Sequence, residues 1–208
     1  MISIEQSRDG RKILRKAGRL LASAVDPQKE AATWASRAID GLDDDSSVVI
    51  LGLGCGYHVQ AVLHRVDKNR VVVIERDQHI ADLAYQFCPE IASAKIIVEP
   101  DWSRITESGF VRDVLGDVYR LCHHLPSVLA DREYYGRIEN LFLGRDKTSF
   151  LLQLRSRPDL FALLDPERIS ELGDETISIK TIKGLFVDSP RSSLKERRMW
   201  KILEELVR

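Results

Sequence analysis

The feature that most constrains this chain is an apolar strand running straight into a glycine-rich turn and then a helix. Ser47-Val48-Val49-Ile50-Leu51 is short, almost wholly apolar and rich in β-branched residues, the pattern of a strand covered on both faces. Gly52-Leu53-Gly54-Cys55-Gly56 follows, and then helical spacing through Tyr57, Val59, Ala61, Val62 and Leu63. Arg70 to Glu75 reads as a second buried strand ending in an acid, and Lys95 to Glu99 as a third. Between them Ile80, Leu83, Ala84 and Phe87 mark a second helix. Strands alternating with helices of this length predict a parallel sheet with helices on both faces. The three strands, at residues 47–51, 70–75 and 95–99, should lie side by side.

The expected architecture is therefore α/β and Rossmann-like, with residues 46–208 as the Rossmann-like domain and residues 1–45 as a helical N-terminal extension. In the extension Ile13, Leu14, Ala17, Leu20 and Leu21 fall at helical spacing and predict a first helix. Its apolar face must pack on the sheet domain or on another subunit. Arg8, Arg11, Lys12, Arg15 and Arg19 line a further face, read as solvated rather than as a phosphate site. Asp26-Pro27 opens a second helix, with Asp26 as N-cap and Pro27 where a missing N–H costs nothing. The polar run Gly41-Leu42-Asp43-Asp44-Asp45 ends it. Beyond Pro100 the pattern predicts a helix from Phe110 that ends near Cys122, then mixed loop and helix from Leu125 to Arg145. Leu151 to Leu164 reads as helix interrupted near Pro158, and Ile177 to Val187 as a late strand or hairpin arm. Ser193-Leu194-Lys195-Glu196 is a capping box for a last helix, with Trp200, Leu203 and Val207 inward.

Several function classes are excluded. With 44% hydrophobic and 30% charged residues, the 208-residue chain has the composition of a globular protein. A formal charge of −1 gives no general attraction to nucleic acid or to an anionic membrane. No apolar run approaches the roughly 18 residues of a membrane span, and the charged start offers no signal core, so the cytoplasm is the expected compartment. Cys55, Cys88 and Cys122 have neither disulfide nor zinc spacing. His123 and His124 are adjacent, so their side chains point apart, and no metal site is expected.

The chemistry is expected at the glycine turn. Glycines there allow a ligand to approach the backbone closely, at the positive end of the following helix. A dinucleotide fingerprint would put its last glycine where Tyr57 stands, which disfavours NAD and FAD. The actual spacing, Gly52-x-Gly54-x-Gly56, resembles class I S-adenosylmethionine-dependent methyltransferases. That resemblance implies that Glu75 binds the ribose hydroxyls and that Asp101, beside Trp102, lies near the adenine. It also has a departure, because Ile50 stands where the family usually carries an acid. Tyr57, His58, Trp102, Tyr134, Tyr135 and Arg145 are candidates for the pocket wall. Cys55, inside the turn, is placed where N–H groups would stabilise a thiolate. Trp34 and Trp200 are read as core or interface residues.

A second resemblance covers residues 20–140. Asp26-Pro27-Gln28-Lys29-Glu30-Ala31, Leu51 to His58, Glu75-Arg76-Asp77 and Glu133-Tyr134-Tyr135-Gly136-Arg137-Ile138 resemble segments of bacterial motility accessory factors. That family is linked to transfer of nonulosonic acids onto flagellin, and its Rossmann-like region precedes a separate transferase domain. The chain is too short for that domain, and is either a stand-alone relative or a piece of a longer protein. The resemblance implies an accessory role in protein glycosylation, with a nucleotide or nucleotide sugar as ligand. A methyltransferase using S-adenosylmethionine is the alternative, and a non-catalytic scaffold the third reading. All three leave open whether the chain is an enzyme; if it is, it is a transferase. A protein substrate or partner and a homo-oligomer are also left open.

Overall fold

The computed structural model describes residues 2–162 and 165–173. The chain divides into two compact units, Met1–Gly136 and Arg137–Arg208. In the first unit β4 (Ser47–Leu51), β5 (Val71–Glu75), β6 (Lys95–Val98) and β7 (Tyr119–His123) form one parallel sheet in the order β6-β5-β4-β7. Every residue of β4 and β5 is buried, which explains their unbroken apolar runs. Helices α1 (Pro27–Ala38), α2 (Tyr57–Leu63), α3 (Gln78–Phe87) and α4 (Gly109–Leu115) flank the sheet. The α/β, Rossmann-like expectation and the three adjacent parallel strands hold.

The first predicted helix does not form. Residues of that segment instead make a small antiparallel sheet, β1 (Ile2–Gln6), β2 (Lys12–Lys16) and β3 (Arg19–Leu20). The reason is the turn between β2 and β3. Ala17 at φ 48° and Gly18 at φ 79° are both left-handed, the backbone of a tight hairpin and one that a helix cannot contain. Ile13, Leu14 and Leu21 are still buried, and they join Ala31, Ala35, Val48, Ile50, Val59, Val73 and Ala84 in one hydrophobic core. The second predicted helix is α1, with the side chain of Asp26 accepting the Lys29 N–H at 2.8 Å and Pro27 in its first turn.

A second correction falls on β7. The helix expected to run to Cys122 ends at Leu115, and Tyr119–His123 is the edge strand beside β4. Helices α5 (Leu125–Ala130) and α6 (Arg132–Leu143) follow. In the second unit α7 (Lys147–Arg155) and α8 (Pro158–Phe161) break at Pro158 as expected, and α9 spans Pro166–Ser170. There the Gln153 amide donates to the Leu141 carbonyl at 2.9 Å, and Arg145 pairs with Glu139 at 3.2 Å. The strand expected at 177–187 and the last helix with Trp200 lie outside the described residues. Among the described residues, no helix is long and apolar enough to cross a membrane.

Candidate functional site

The site grows from the end of β4. Open parallel sheets place ligands outside the carboxyl ends of their strands, near the point where the connections change side. Here that point lies between β4 and β7. The glycine turn leaves β4 at this place, and Glu75, the last residue of β5, anchors it. One Glu75 oxygen, Oε2, accepts the Leu53 N–H at 2.8 Å. The other, Oε1, accepts the N–H groups of Arg76 at 2.9 Å and Asp77 at 3.0 Å. The carboxyl is 1% exposed, and burial pushes its pKa up against the pull of these amides. Glu75 is thus the internal clamp of the turn.

The close approach that the glycines permit is taken by the chain itself. A Cβ on Gly52, whose φ is +92°, would lie 2.3 Å from Ser127 Cβ. One on Gly54, at φ +50°, would lie 2.6 Å from His124 Cε1 and 3.3 Å from the Leu21 carbonyl oxygen. Gly56 caps α2 in the left-handed region, against Ile91 and Cys88.

Beside the turn sits a pair of histidines: His58, which the sequence marked as a pocket candidate, and His124, which it read as structural and did not pair with it. His58 and His124 are both buried, and their rings stack with centroids 3.9 Å apart and planes within 3°. His58 Nε2–H donates to the Gly52 carbonyl at 3.0 Å, which fixes its tautomer. His124 Nδ1 hydrogen-bonds with Ser127 Oγ at 2.8 Å. Trp34 stands edge-on to His58 at 5.0 Å and donates its indole N–H to the His123 carbonyl at 3.3 Å. Burial lowers the pKa of His58 to about 4 and that of His124 well below the usual histidine range, so both rings are neutral at pH 7. With Leu21, Ala31, Cys55 and Tyr57 they line a cavity of about 60 Å³. The signal in the sequence was position: His124 follows β7 directly, and His58 follows the glycine turn that leaves β4, so both flank the switch point.

Cys55 does not carry a thiolate. Burial raises its pKa to about 12, and its Sγ accepts the Leu14 N–H at 3.2 Å. The buried ring of Tyr57 donates its hydroxyl to the Lys12 carbonyl at 2.8 Å.

A larger crevice of about 450 Å³ opens where β5 and β6 end. Arg76, Asp77 and Gln78 line it after β5, Val98 and Pro100 at the end of β6, and Lys16 and Asp131 complete it. Its charges alternate. Lys16 Nζ lies 2.5 Å from Asp131 and 3.2 Å from Asp77, and Arg76 lies 2.9 Å from Asp131. The Arg76 guanidinium also sits 5.6 Å from the centre of the Tyr134 ring, whose hydroxyl donates to the Glu99 carbonyl. Two of the sequence-predicted residues are not among those that line it. Asp101 is exposed and caps the short 3₁₀ helix Trp102–Glu107 through the Ser103 N–H at 3.0 Å, and Trp102 is 42% exposed. Among the described residues, no group of three or more histidines, cysteines and carboxylates could hold a metal ion.

No family model matches the chain, and no curated protein matches it. Among solved structures it is similar to MnmC2 from Aquifex aeolicus, at 19% identity over 52% of this chain and 46% of that one, with a TM-score of 0.36. The chain thus spans less than half of that protein's length. It is also similar to spermidine synthase from Thermotoga maritima, at 14% identity over 98% of this chain and 84% of that one, TM-score 0.46. A spermidine synthase in complex with the transition state analogue AdoDATO matches at 14% identity over 98% and 85%, TM-score 0.44.

Proposed function

We propose that the chain binds a nucleoside cofactor of the S-adenosylmethionine class in the crevice at the ends of β5 and β6, and works as a group-transfer enzyme with it. The observation that carries this reading is the crevice itself. Its volume of about 450 Å³ falls within the range of small-molecule sites, and it opens outside the carboxyl ends of two adjacent parallel strands. The residues present suit a nucleoside. Val98 and Pro100 offer an apolar wall to a base, and the Asp77 carboxylate is an acceptor for sugar hydroxyls. Lys16 and Arg76 are balanced by Asp77 and Asp131, so the crevice has no net charge to attract a polyphosphate. When bound, such a cofactor supplies an activated methyl group.

A second reading, an accessory role in protein glycosylation with a nucleotide or nucleotide sugar as ligand, is favoured by one arrangement. Two of the segments that resemble motility accessory factors, Glu75-Arg76-Asp77 and the one containing Tyr134, meet at Arg76 on the Tyr134 ring. Calorimetry separates the readings. Binding of S-adenosylmethionine and S-adenosylhomocysteine below millimolar concentration supports the first. Binding of CMP or a nucleotide sugar in their place favours the second, and binding of none leaves a scaffold.

A further inference from the structure

We propose that the cavity beside the glycine turn is a binding site for a compact alkylammonium, a small protonated primary amine held between α1 and the stacked histidines. The inference stands apart from the nucleoside reading, because no residue that lines this cavity lines the crevice.

Size and lining set the class of ligand. A cavity of about 60 Å³ has room for a molecule of about four or five heavy atoms, since one water needs roughly 10–15 Å³ by the same measure. Its wall is mostly apolar, with Leu21, Pro27, Ala31, Trp34 and Pro126 placed to hold an alkyl chain. Glu30 carries the only formal charge among the lining residues, and no lysine or arginine is one of them. The Ser23 N–H donates to Glu30 Oε2 at 2.6 Å and holds the carboxylate in place. Among the described residues no cationic side chain pairs with it.

His58 supplies the second contact. It gives its one ring proton, on Nε2, to the Gly52 carbonyl at 3.0 Å, so Nδ1 of the neutral ring is a bare acceptor. That nitrogen has no hydrogen-bond partner among the described residues and is not sealed off, although the residue is only 4% exposed. The access left to it is the cavity that its ring lines. Burial keeps the ring neutral at pH 7, so it does not repel a cation. Glu30 and His58 thus both accept hydrogen bonds and neither donates. An ammonium brings three donors and a positive charge to them, an alcohol brings one donor and no charge, and a carboxylate meets acceptors and like charge.

The test is calorimetry on the full chain with propylamine hydrochloride, 1-propanol and sodium propionate, which share a carbon chain and differ in charge and donors. Wild type should bind the amine at millimolar concentration, the alcohol more weakly and the propionate not at all. Glu30→Gln keeps an acceptor for the Ser23 N–H and removes the charge. It should weaken the amine about threefold to fivefold, the worth of an ion pair at an exposed carboxylate, and leave the alcohol unchanged. Ala31→Leu fills the cavity from a helical position that suits leucine, and should abolish binding of both. Glu30→Gln carries the test if the leucine variant does not fold. A wild-type chain that does not bind the amine, or that binds propionate as tightly, overturns the proposal. So does amine binding that neither variant weakens, which would place the amine elsewhere on the chain. S-adenosylhomocysteine should behave toward Ala31→Leu as toward wild type; its loss there would make the cavity part of the cofactor site and overturn the assignment, while the nucleoside reading stands.

Discussion

The Leu53 amide donates to the Glu75 carboxylate at 2.8 Å, tying the glycine turn to the neighbouring strand across 22 residues of sequence. Together with the amides of Arg76 and Asp77, this makes one side chain the partner of three backbone donors. Glu75→Ala leaves all three without that acceptor, the Leu53 amide in a buried place and those of Arg76 and Asp77 in partly buried ones. The expected loss of stability is about 1–3 kcal/mol, the cost of the one unsatisfied buried donor, since water can reach the other two. Urea denaturation of the variant measures it, and a loss under about 1 kcal/mol would mean that water or a neighbour replaces the carboxylate.

The glycine turn makes a second prediction. Gly52→Ala places a methyl 2.3 Å from Ser127 Cβ at a φ of +92°, so both the contact and the backbone oppose it. The variant should lose about 3 kcal/mol. Adding Ser127→Gly removes the clash but not the strain, and should recover at least about 1 kcal/mol in a double-mutant cycle. Additive effects would show that Ser127 does not set the packing of the turn.

How much of this could be read beforehand depends on what each residue faces. Strands β4 and β5 were legible because a doubly covered strand has an unmistakable composition, and the half-buried edge strand β6 because Ile96-Ile97-Val98 keeps an apolar run; helices α2 and α3 were legible through their spacing. Helix α1 was legible through Asp26 and Pro27. The small N-terminal sheet was not, because Ile13, Leu14 and Leu21 satisfy helical spacing as well as they line β2 and its turn. The deciding residue, Ala17 at φ 48°, has no compositional mark. Strand β7 was missed because an edge strand needs only one buried residue, and here it is Cys122. At the site, the turn and the acid after β5 were recognisable. Two further relationships were not, because both depend on tertiary placement. His58 stacks on His124 only because β7 lies beside β4, and Lys16 reaches Asp77 and Asp131 only because its segment is a strand.

Thiol chemistry should be silent in the folded protein. Burial raises the pKa of Cys55 and Cys88 to about 12 and that of Cys122 to about 11. At pH 8 iodoacetamide should label less than one thiol per native chain and all three in denaturant, read by intact mass. Rapid native labelling of Cys55 would instead mean that the turn opens and that its amides do stabilise a thiolate.

The histidine pair predicts how stability depends on pH. His58 has a folded pKa of about 4, against an ordinary value of 6.5. The unfolded chain therefore binds a proton at this site before the folded one does. Stability from the neutral, buried ring is complete above pH 6.5 and is lost as pH falls toward 4, where the folded state begins to protonate as well. The shift corresponds to a loss on the order of 3 kcal/mol over that window. His124 acts in the same direction, because burial and the neighbouring His58 both disfavour its charged form. Two imidazoles 3.9 Å apart cannot both charge without separating, so the second protonation should break the stack and loosen Gly54, which packs against His124. Urea midpoints between pH 7.5 and 4 should fall steeply for the wild type. In His58→Gln, which keeps a donor for the Gly52 carbonyl and cannot titrate, the fall should be shallower over the same window. Equal slopes for the two proteins would place the acid sensitivity elsewhere in the fold.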